Sequence, residues 1–167
     1  LGNGSSVVIG SSGIDVEAFE IARTETGSIS QLRAELGLGD AEIVVTVSRL
    51  TVQKGILTLL NAARIVHEAR PSVRFLLVGP LESEGPFAVD QALIERHSPY
   101  VIAPGARSDI PGILGIADVF AFPTEYREGI PRVLLEAGLA GVPIVATRMP
   151  GCDDVVAENW NGHMVPP

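Results

Sequence analysis

Residues 42–78, EIVVTVSRLTVQKGILTLLNAARIVHEARPSVRFLLV, pass from a strand-like pattern to a helix-like pattern and back. Glu42–Ser48 and Val73–Val78 are short runs rich in apolar and β-branched residues, which are typical of buried strands. Between them, Gln53–Ala69 carries apolar residues at helical spacing, namely Leu57, Leu60, Ala63 and Val66. The segment therefore predicts a strand, a helix and a strand, a unit whose parallel strands are joined by a right-handed crossover.

The alternation of strand and helix patterns continues to the end of the sequence. Further strands are predicted at Val101–Ala103, Asp118–Phe122, Pro143–Ala146 and Gly162–Val165. Helices are predicted at Pro86–His97, Ser108–Ile116 (with Ser108 as its N-cap), Pro131–Ala140 and Asp153–Glu158. The repeat predicts an α/β fold, a doubly wound Rossmann-like parallel sheet over residues 41–167. Such sheets bind ligands at the carboxyl ends of their strands, near the point where the strand order reverses.

Residues 1–40 are less regular than the rest of the chain. Gly10–Phe19 reads as a connector with turns, and Ile29–Leu36 as a short helix closed by Gly37. We expect residues 1–40 to be a connector that leads from a preceding domain into the Rossmann-like domain at residues 41–167. Because the chain begins with leucine rather than an initiator methionine, we expect it to be cut from a longer protein.

Composition argues against several classes of function. The net charge of −8 disfavours binding to duplex DNA, which normally requires a basic face. Cys152 is the only cysteine, so no intramolecular disulfide can form and a reducing cytoplasm is expected. The longest apolar runs have the length of a strand, which is too short to span a membrane. The first residues do not show the pattern of a signal peptide.

Several ligand-binding motifs are missing from the sequence. No G-x-G-x-x-G follows a strand, and no G-x-x-x-x-G-K-[ST] occurs. No Asp-x-Asp pair is present to hold a metal–diphosphate, and the three histidines are scattered. We therefore expect no metal site and no cofactor. Any bound diphosphate would have to be neutralised by arginine, lysine and helix N-termini.

A first candidate site lies in the loop Ser48–Gly55, which follows the first strand and precedes a helix. Arg49 can hold a phosphate through two hydrogen bonds, and Lys54 provides a point charge. Both lie where a helix N-terminus already favours anions, so the pair suits a diphosphate. From spacing alone, two solvated surface cations are an equally good interpretation.

A second candidate site is Pro123–Glu136, PTEYREGIPRVLLE, which runs from a predicted strand into a predicted helix. Glu128 lies in the loop, and Gly129 allows a ligand to approach the backbone. Glu136 interrupts an otherwise apolar helix, and a carboxylate buried there would need a partner. The two hydroxyls of a ribose would supply one. On periodicity alone, a glutamate that faces solvent is the stronger interpretation.

A third candidate site is the loop after the strand Val101–Ala103, with sequence PGARSD at residues 104–109. This loop would open onto the same edge of the sheet, where its backbone groups could contact the edge of a base. Without further support, an ordinary turn between a strand and a helix is the simpler interpretation.

Together these segments resemble the C-terminal domain of glycosyltransferase family 4, the retaining transferases with two Rossmann domains (GT-B). The resemblance covers residues 9–167. Its pieces follow the family order: SGIDVEAF, VVTVSRLTVQKG, FLLVG, PGARSDI, ADVFAFPTEYREGIPRVLLEAGLAGVPIVAT, GCDDVV and NGHMVP. The form GIPR at residues 129–132, where many members have Gly-Phe-Gly, looks like bacterial enzymes that build polysaccharides.

The resemblance implies a role for each candidate residue. Arg49 and Lys54 would contact the donor diphosphate and stabilise the leaving group, and Glu128 would lie beside the transferred sugar. Glu136 would bind the ribose hydroxyls. Backbone N–H groups would approach the sugar or the phosphate, and backbone atoms after the third strand would contact the base. The N–H groups are those of Gly129, Ile130 and Arg132. The backbone atoms near the base are those of Ala103, Pro104 and Gly105.

The resemblance also implies an activity. A hexose or N-acetylhexosamine would pass from a nucleotide donor, expected to be UDP-linked, to a polysaccharide or a polyprenyl-linked sugar, with retention and without a metal ion. The acceptor would bind a preceding N-terminal domain, so this chain alone is expected to be inactive. The full-length enzyme would lie in the cytoplasm, at the inner face of the membrane. A nucleotide-sugar epimerase or phosphorylase of the same architecture, and a non-catalytic interaction module, are the alternatives.

Overall fold

The structure is a computed structural model that describes residues 13–25 and 27–167. Two helices come first, α1 (Val16–Glu25) and α2 (Ile29–Glu35), and a βα repeat follows. Its strands are β1 (Glu42–Val47), β2 (Val73–Val78), β3 (Val101–Gly105), β4 (Val119–Phe122), β5 (Ile144–Thr147) and β6 (Gly162–Val165). Its helices are α3 (Ile56–Ala69), α4 (Gln91–Glu95), α5 (Ile110–Gly115) and α6 (Arg132–Leu139), and a short 3₁₀ turn, Val52–Lys54, precedes α3.

Within the described residues, six parallel strands form one sheet in the order β3-β2-β1-β4-β5-β6. This order confirms the predicted doubly wound Rossmann-like fold. The chain winds outward from β1 in one direction and from β4 in the other, so the order reverses between these two neighbours. β1 pairs with β2 along its whole length but with β4 only at Val44 and Val45. The switch point therefore lies between the carboxyl ends of β1 and β4.

Helices cover the sheet on two faces, which we call the α3 face and the α6 face after the helices that pack there. Ile43 and Val45 of β1 point to the α6 face and are fully buried in a cluster that includes α1, α2, α5 and α6 residues. Phe75 and Leu77 of β2 point to the α3 face and pack against α3 and α4. Both faces of these strands are thus buried, which explains their nearly continuous apolar sequences.

The described part of residues 1–40 packs against the α6 face. Phe19 of α1 and Leu32 of α2 are buried, and both helices contact α5. α1 begins at Val16, inside the stretch Gly10–Phe19 that was predicted as turns, while residues 10–12 lie outside the described residues. α2 forms where a short helix was predicted, at Ile29–Leu36. The domain boundary at residue 40 stays a prediction.

The predicted helix at Pro86–His97 is wrong over its first half, because α4 begins only at Gln91. The preceding backbone bonds to distant partners instead. The Phe87 carbonyl accepts from the Val52 N–H at 3.0 Å, and the Val89 N–H donates to the Glu82 carbonyl at 2.9 Å. Groups used in this way cannot also form helical bonds.

Two further local predictions are wrong. Residues 153–155 form a turn rather than the start of a helix, and Glu158 pairs with Gly162 in an isolated bridge. The Asn161 side chain bonds the Val155 carbonyl and the Ala157 N–H in place of helical partners. In α5, Asp109 rather than Ser108 is the N-cap residue. Its carboxylate binds Arg107 through two hydrogen bonds, at 2.8 and 2.7 Å.

Glycine at position 55 allows the loops after β1 and β4 to touch. Gly55 lies between the 3₁₀ turn and α3 with φ of 70°, in the left-handed region that favours glycine. A Cβ atom there would lie 1.9 Å from the Pro123 carbonyl oxygen. Glycine is therefore required at this position both for its φ and for the contact.

We predict that Gly55→Ala destabilises the fold more than Gly141→Ala does. Gly141 also has a positive φ, 74°, but no atom lies within 4 Å of the place that an alanine methyl group would take, so its substitution tests φ alone. We expect a loss of about 1–2 kcal/mol for Gly141→Ala. Gly55→Ala should cost at least about 3 kcal/mol, because the overlap adds to the strain. Urea unfolding measures both, and equal losses would contradict this interpretation of the contact.

Candidate functional site at the switch point

The loops that leave β1 and β4 form one structural unit at the switch point. The Glu125 N–H donates to the Gln53 carbonyl at 2.9 Å, directly linking the two loops. Thr58 on α3 adds a hydrogen bond of 3.3 Å from its hydroxyl to the Glu125 carboxylate. The side chains of both loops are therefore held at fixed positions relative to one another.

Lys54 and Glu128 meet in this unit. The Lys54 ammonium donates a hydrogen bond to Glu128 Oε1, and the two side chains are only 13% and 20% exposed. Lys54 ends the 3₁₀ turn, whose N-cap Thr51 accepts from the Lys54 N–H at 3.3 Å. Its ammonium also lies 5.9 Å from the ring centroids of Phe122 and Tyr126. The attraction between these two charges is stronger than on an open surface, because little water screens it.

Arg49 lies two residues after β1 and, unlike Lys54, is largely exposed. Its side chain is 62% exposed and bonds to Glu82 at 3.2 Å. An exposed pair of this kind contributes less than about 1 kcal/mol. The guanidinium can therefore leave Glu82 and turn towards an incoming anion at little cost.

Glu136 lies on the second turn of α6 and is largely buried, with 18% of its side chain exposed. Its carboxylate accepts from Arg132 Nε at 3.1 Å. Burial raises the pKa of Glu136 above its usual range, and Arg132 partly opposes that shift. Side chains of a helix lean towards its N-terminus, and Arg132, the partner of this carboxylate, is the first residue of α6. Glu136 is therefore not the solvent-facing glutamate that periodicity alone favours.

The start of α6 offers unpaired backbone donors. Pro131 occupies the N-cap position, and no side chain caps the helix. Within residues 27–167, the N–H groups of Gly129, Ile130 and Arg132 have no hydrogen-bond partner. Donors at a helix N-terminus attract anions.

The loop after β5 packs against the segment before α6, at Gly129. The sequence analysis did not predict this contact. Gly151 is buried with φ of 91°, and a Cβ atom there would lie 1.9 Å from the Gly129 carbonyl oxygen. The Pro150-Gly151 pair, which follows β5 after Arg148 and Met149, was the only signal of such a close approach. The neighbouring Cys152 is buried. Burial, together with the Glu128 carboxylate, raises the pKa of Cys152 to about 11.

Ala103, Pro104 and Gly105 lie at the end of β3, two strands away from β1. They line a groove of about 530 Å³ on the α3 face, together with Leu50 and Gly79. Two strand spacings amount to about 10 Å, and the residues that line this groove include neither Lys54 nor Glu128. Their predicted contact with a base stays a prediction.

Of the four candidate side chains, the structure thus brings only two into direct contact. Lys54 and Glu128 are in direct contact, and Glu136 lies on the helix that follows the Glu128 loop. Across the part of the chain that the structure describes, the side chains of Arg49 and Glu136 bond only to Glu82 and Arg132, respectively. A ligand long enough to reach all four would have to lie along the edge of the sheet.

Two negative observations concern the described residues only. No group of three or more histidine, cysteine, aspartate or glutamate side chains is placed to hold a metal ion. None of the helices is both long and apolar enough to cross a membrane.

The doubly wound sheet, with a lysine, a glutamate and free N–H groups at its switch point, places the protein in the class of Rossmann-like domains. Comparison with known families narrows this class. The model of the family "Glycosyl transferases group 1" matches residues 41–167. The chain belongs to this family.

Individual relatives agree with the family. CapM of Staphylococcus aureus, a capsular polysaccharide biosynthesis glycosyltransferase, is 30% identical over 99% of this chain and 41% of its own length. A GDP-mannose-dependent alpha-(1-6)-phosphatidylinositol monomannoside mannosyltransferase of Mycolicibacterium smegmatis is 31% identical over 92% and 41%. The crystal structure of Anabaena Alr3699/HepE in complex with UDP has a TM-score of 0.76 at 29% identity, over 93% and 42%. The chain spans about two fifths of the length of these proteins.

We predict that Cys152 of the folded chain resists alkylation by iodoacetamide at about neutral pH. The raised pKa keeps the sulfur protonated, and the thiolate is the reactive form. Mass spectrometry of the treated protein measures the modification, with the protein unfolded in urea as the control that should react. Rapid modification of the folded chain would show that the loop after β5 does not cover the thiol.

Proposed function

We propose that this chain is the donor-binding half of a retaining glycosyltransferase with two Rossmann domains. Its ligand is a nucleotide-diphosphate sugar, and the attached base is uracil. Membership of the family and the HepE structure with UDP support this proposal. The observation that carries it is the contact between Lys54 and Glu128 at the switch point, where such sheets take their ligands.

The chemical demand of the reaction is the negative charge that develops on the departing diphosphate. Lys54, held beside the loop, and Arg49, free to turn inwards, supply positive charge for it. The unpaired N–H groups at the start of α6 add oriented dipoles. Donors that are positioned in advance stabilise developing charge without reorganising, which is often the largest contribution to catalysis. With these groups, the reaction we propose requires no metal ion.

Two carboxylates bind the rest of the donor. Glu128 is bonded to Lys54, so a diphosphate on Lys54 places the transferred sugar next to the Glu128 carboxylate. Glu136 accepts from the ribose hydroxyls, and its bond to the exposed Arg132 is weak enough to be replaced. The base extends towards Ala103–Gly105 at the end of β3.

The remaining three fifths of the protein, as judged from its relatives, would contain the N-terminal domain that binds the acceptor. Residues 1–40 would connect the two domains. The name of CapM supports a polysaccharide acceptor, and that of the mycobacterial relative supports an acceptor linked to a lipid. A full-length protein that works on such an acceptor would lie in the cytoplasm, at the inner face of the membrane. This chain alone would bind the donor without transferring its sugar.

Removing either cation should slow transfer. We expect Arg49→Ala and Lys54→Ala in the full-length protein to lower kcat by about a hundredfold, the usual effect of losing one donor to a developing negative charge. Release of nucleotide diphosphate measures the rate. Arg70→Ala is the matched control, because Arg70 is 63% exposed and bonds Glu42 at the opposite end of β1. Rates near those of the unmodified protein in both variants would contradict the proposed roles.

The pH dependence of nucleotide binding tests whether Glu136 binds the ribose. UDP-glucose affinity, measured by calorimetry on the full-length protein, should fall on acidification, because the ribose hydroxyls need an ionised acceptor. Since the pKa of Glu136 is raised, the fall should occur at a higher pH than for an ordinary glutamate. Glu136→Gln should weaken binding by about tenfold and remove that pH dependence.

The same titration separates the proposed function from its competitors. Tighter binding of GDP-mannose than of UDP-glucose would replace uracil by guanine as the base. An absence of binding by UDP, GDP and ADP would favour an interaction module without catalytic activity. An unchanged pH profile in Glu136→Gln would remove Glu136 from the ribose site.

A further inference from the structure

Thr124 is in contact with Glu128 and is fully buried, although its side chain carries a hydroxyl group. It follows β4 by two residues, in the loop that holds Glu128. The hydroxyl accepts from the Tyr126 N–H at 3.3 Å and lies 3.4 Å from Glu128 Oε1. Burying a hydroxyl costs free energy unless hydrogen bonds compensate, so these contacts explain how threonine is tolerated there.

The hydroxyl has one proton and three acceptors within reach. They are Glu128 Oε1 at 3.4 Å, the Tyr126 carbonyl at 3.4 Å and the Gln53 carbonyl at 3.5 Å. The distances hardly differ, but only Glu128 is charged, and hydrogen bonds to an ionised acceptor are roughly twice as strong as neutral ones. Of the three acceptors of this long hydrogen bond, the charged carboxylate is the one that electrostatics favours.

The two carboxylate oxygens of Glu128 differ in their hydrogen-bond partners. Lys54 Nζ and Thr124 Oγ1 both contact Oε1. Oε2 has no hydrogen-bond partner among residues 13–25 and 27–167. One oxygen is thus fixed by two donors, while the other is left for a ligand.

Thr147 holds Thr124 in turn. It is the last residue of β5, is 4% exposed, and donates its hydroxyl proton to the Thr124 carbonyl. The bond fixes the backbone of Thr124 against the neighbouring strand. Two buried threonines therefore connect β5 to the Glu128 carboxylate.

We propose that Thr124 is a positioning residue: with Lys54 it fixes Oε1 of Glu128 and so presents Oε2 to the donor sugar. This inference rests on the proposed function, because it assigns the orientation of a carboxylate that acts there. Thr124 itself does not touch the sugar. Its effect should be on the chemical step rather than on binding of the nucleotide, since Arg49, Lys54 and Glu136 bind the nucleotide without it.

The test compares variants of the full-length protein by hydrolysis of UDP-glucose, UDP-N-acetylglucosamine or GDP-mannose, whichever the unmodified protein cleaves. Thr124→Val keeps the shape and removes the hydroxyl. We expect kcat to fall by at least about tenfold with KM within about threefold. Thr124→Ser, which retains the hydroxyl, should restore kcat to within about threefold.

Thr46→Val is the matched control. Thr46 is 2% exposed and donates its hydroxyl proton to the Ala121 carbonyl, a buried bond like that of Thr147 but without contact to Glu128. It should lower the melting temperature while leaving kcat within about twofold. If Thr124→Val does not fold, Thr147→Val provides the same comparison, with a smaller expected loss of kcat.

The Glu128→Gln variant distinguishes a failure of the positioning role of Thr124 from a failure of the proposed function of the site. If it lowers kcat strongly while Thr124→Val does not, the positioning role is overturned and the proposed function stands. A Thr124→Ser variant as slow as Thr124→Val overturns it as well, because the methyl group would then be what matters. In the Glu128→Gln background, Thr124→Val should add less than about twofold. If no donor is cleaved, or if Glu128→Gln remains fully active, the proposed function of the site fails.

Discussion

The ion pair between Lys54 and Glu128 organises the site at the switch point. It joins the loop after β1 to the loop after β4, the two strands between which the winding of the sheet reverses. Both side chains are mostly buried, so the removal of one would leave the other charge poorly solvated. The pair therefore links the geometry of the fold to the chemistry of the site, since the same contact closes the loops and places a cation beside a carboxylate.

Backbone contacts make that ion pair possible. Gly55 lies against the Pro123 carbonyl, and Gly151 lies against the Gly129 carbonyl, at distances that no side chain would allow. Gly79 makes a similar approach to the Ser48 carbonyl at the end of β1. Loops held by main-chain packing lose little conformational freedom when a ligand binds, which favours both affinity and accurate positioning.

Much of the fold could be predicted because buried parallel strands have simple sequences. The bounds of β2 and β6 match their predictions, and each of the other strands is within two residues. The approach of Lys54 to Glu128 followed from the rule that ligand sites lie at the carboxyl ends of strands. Prediction failed at Pro86–Val89 and after Gly151, where backbone groups bond to partners distant in the chain or to a side chain. Thr124 was missed for a similar reason, since its contact with Glu128 appears only when the loop is folded.

A crystal structure of the full-length protein with UDP-glucose would show where the donor binds. We predict the diphosphate on Lys54 and Arg49, the ribose on Glu136 and the glucose beside Glu128 Oε2, all at the carboxyl ends of β1 and β4. A nucleotide bound elsewhere on this domain, with Lys54 and Glu128 untouched, would contradict it.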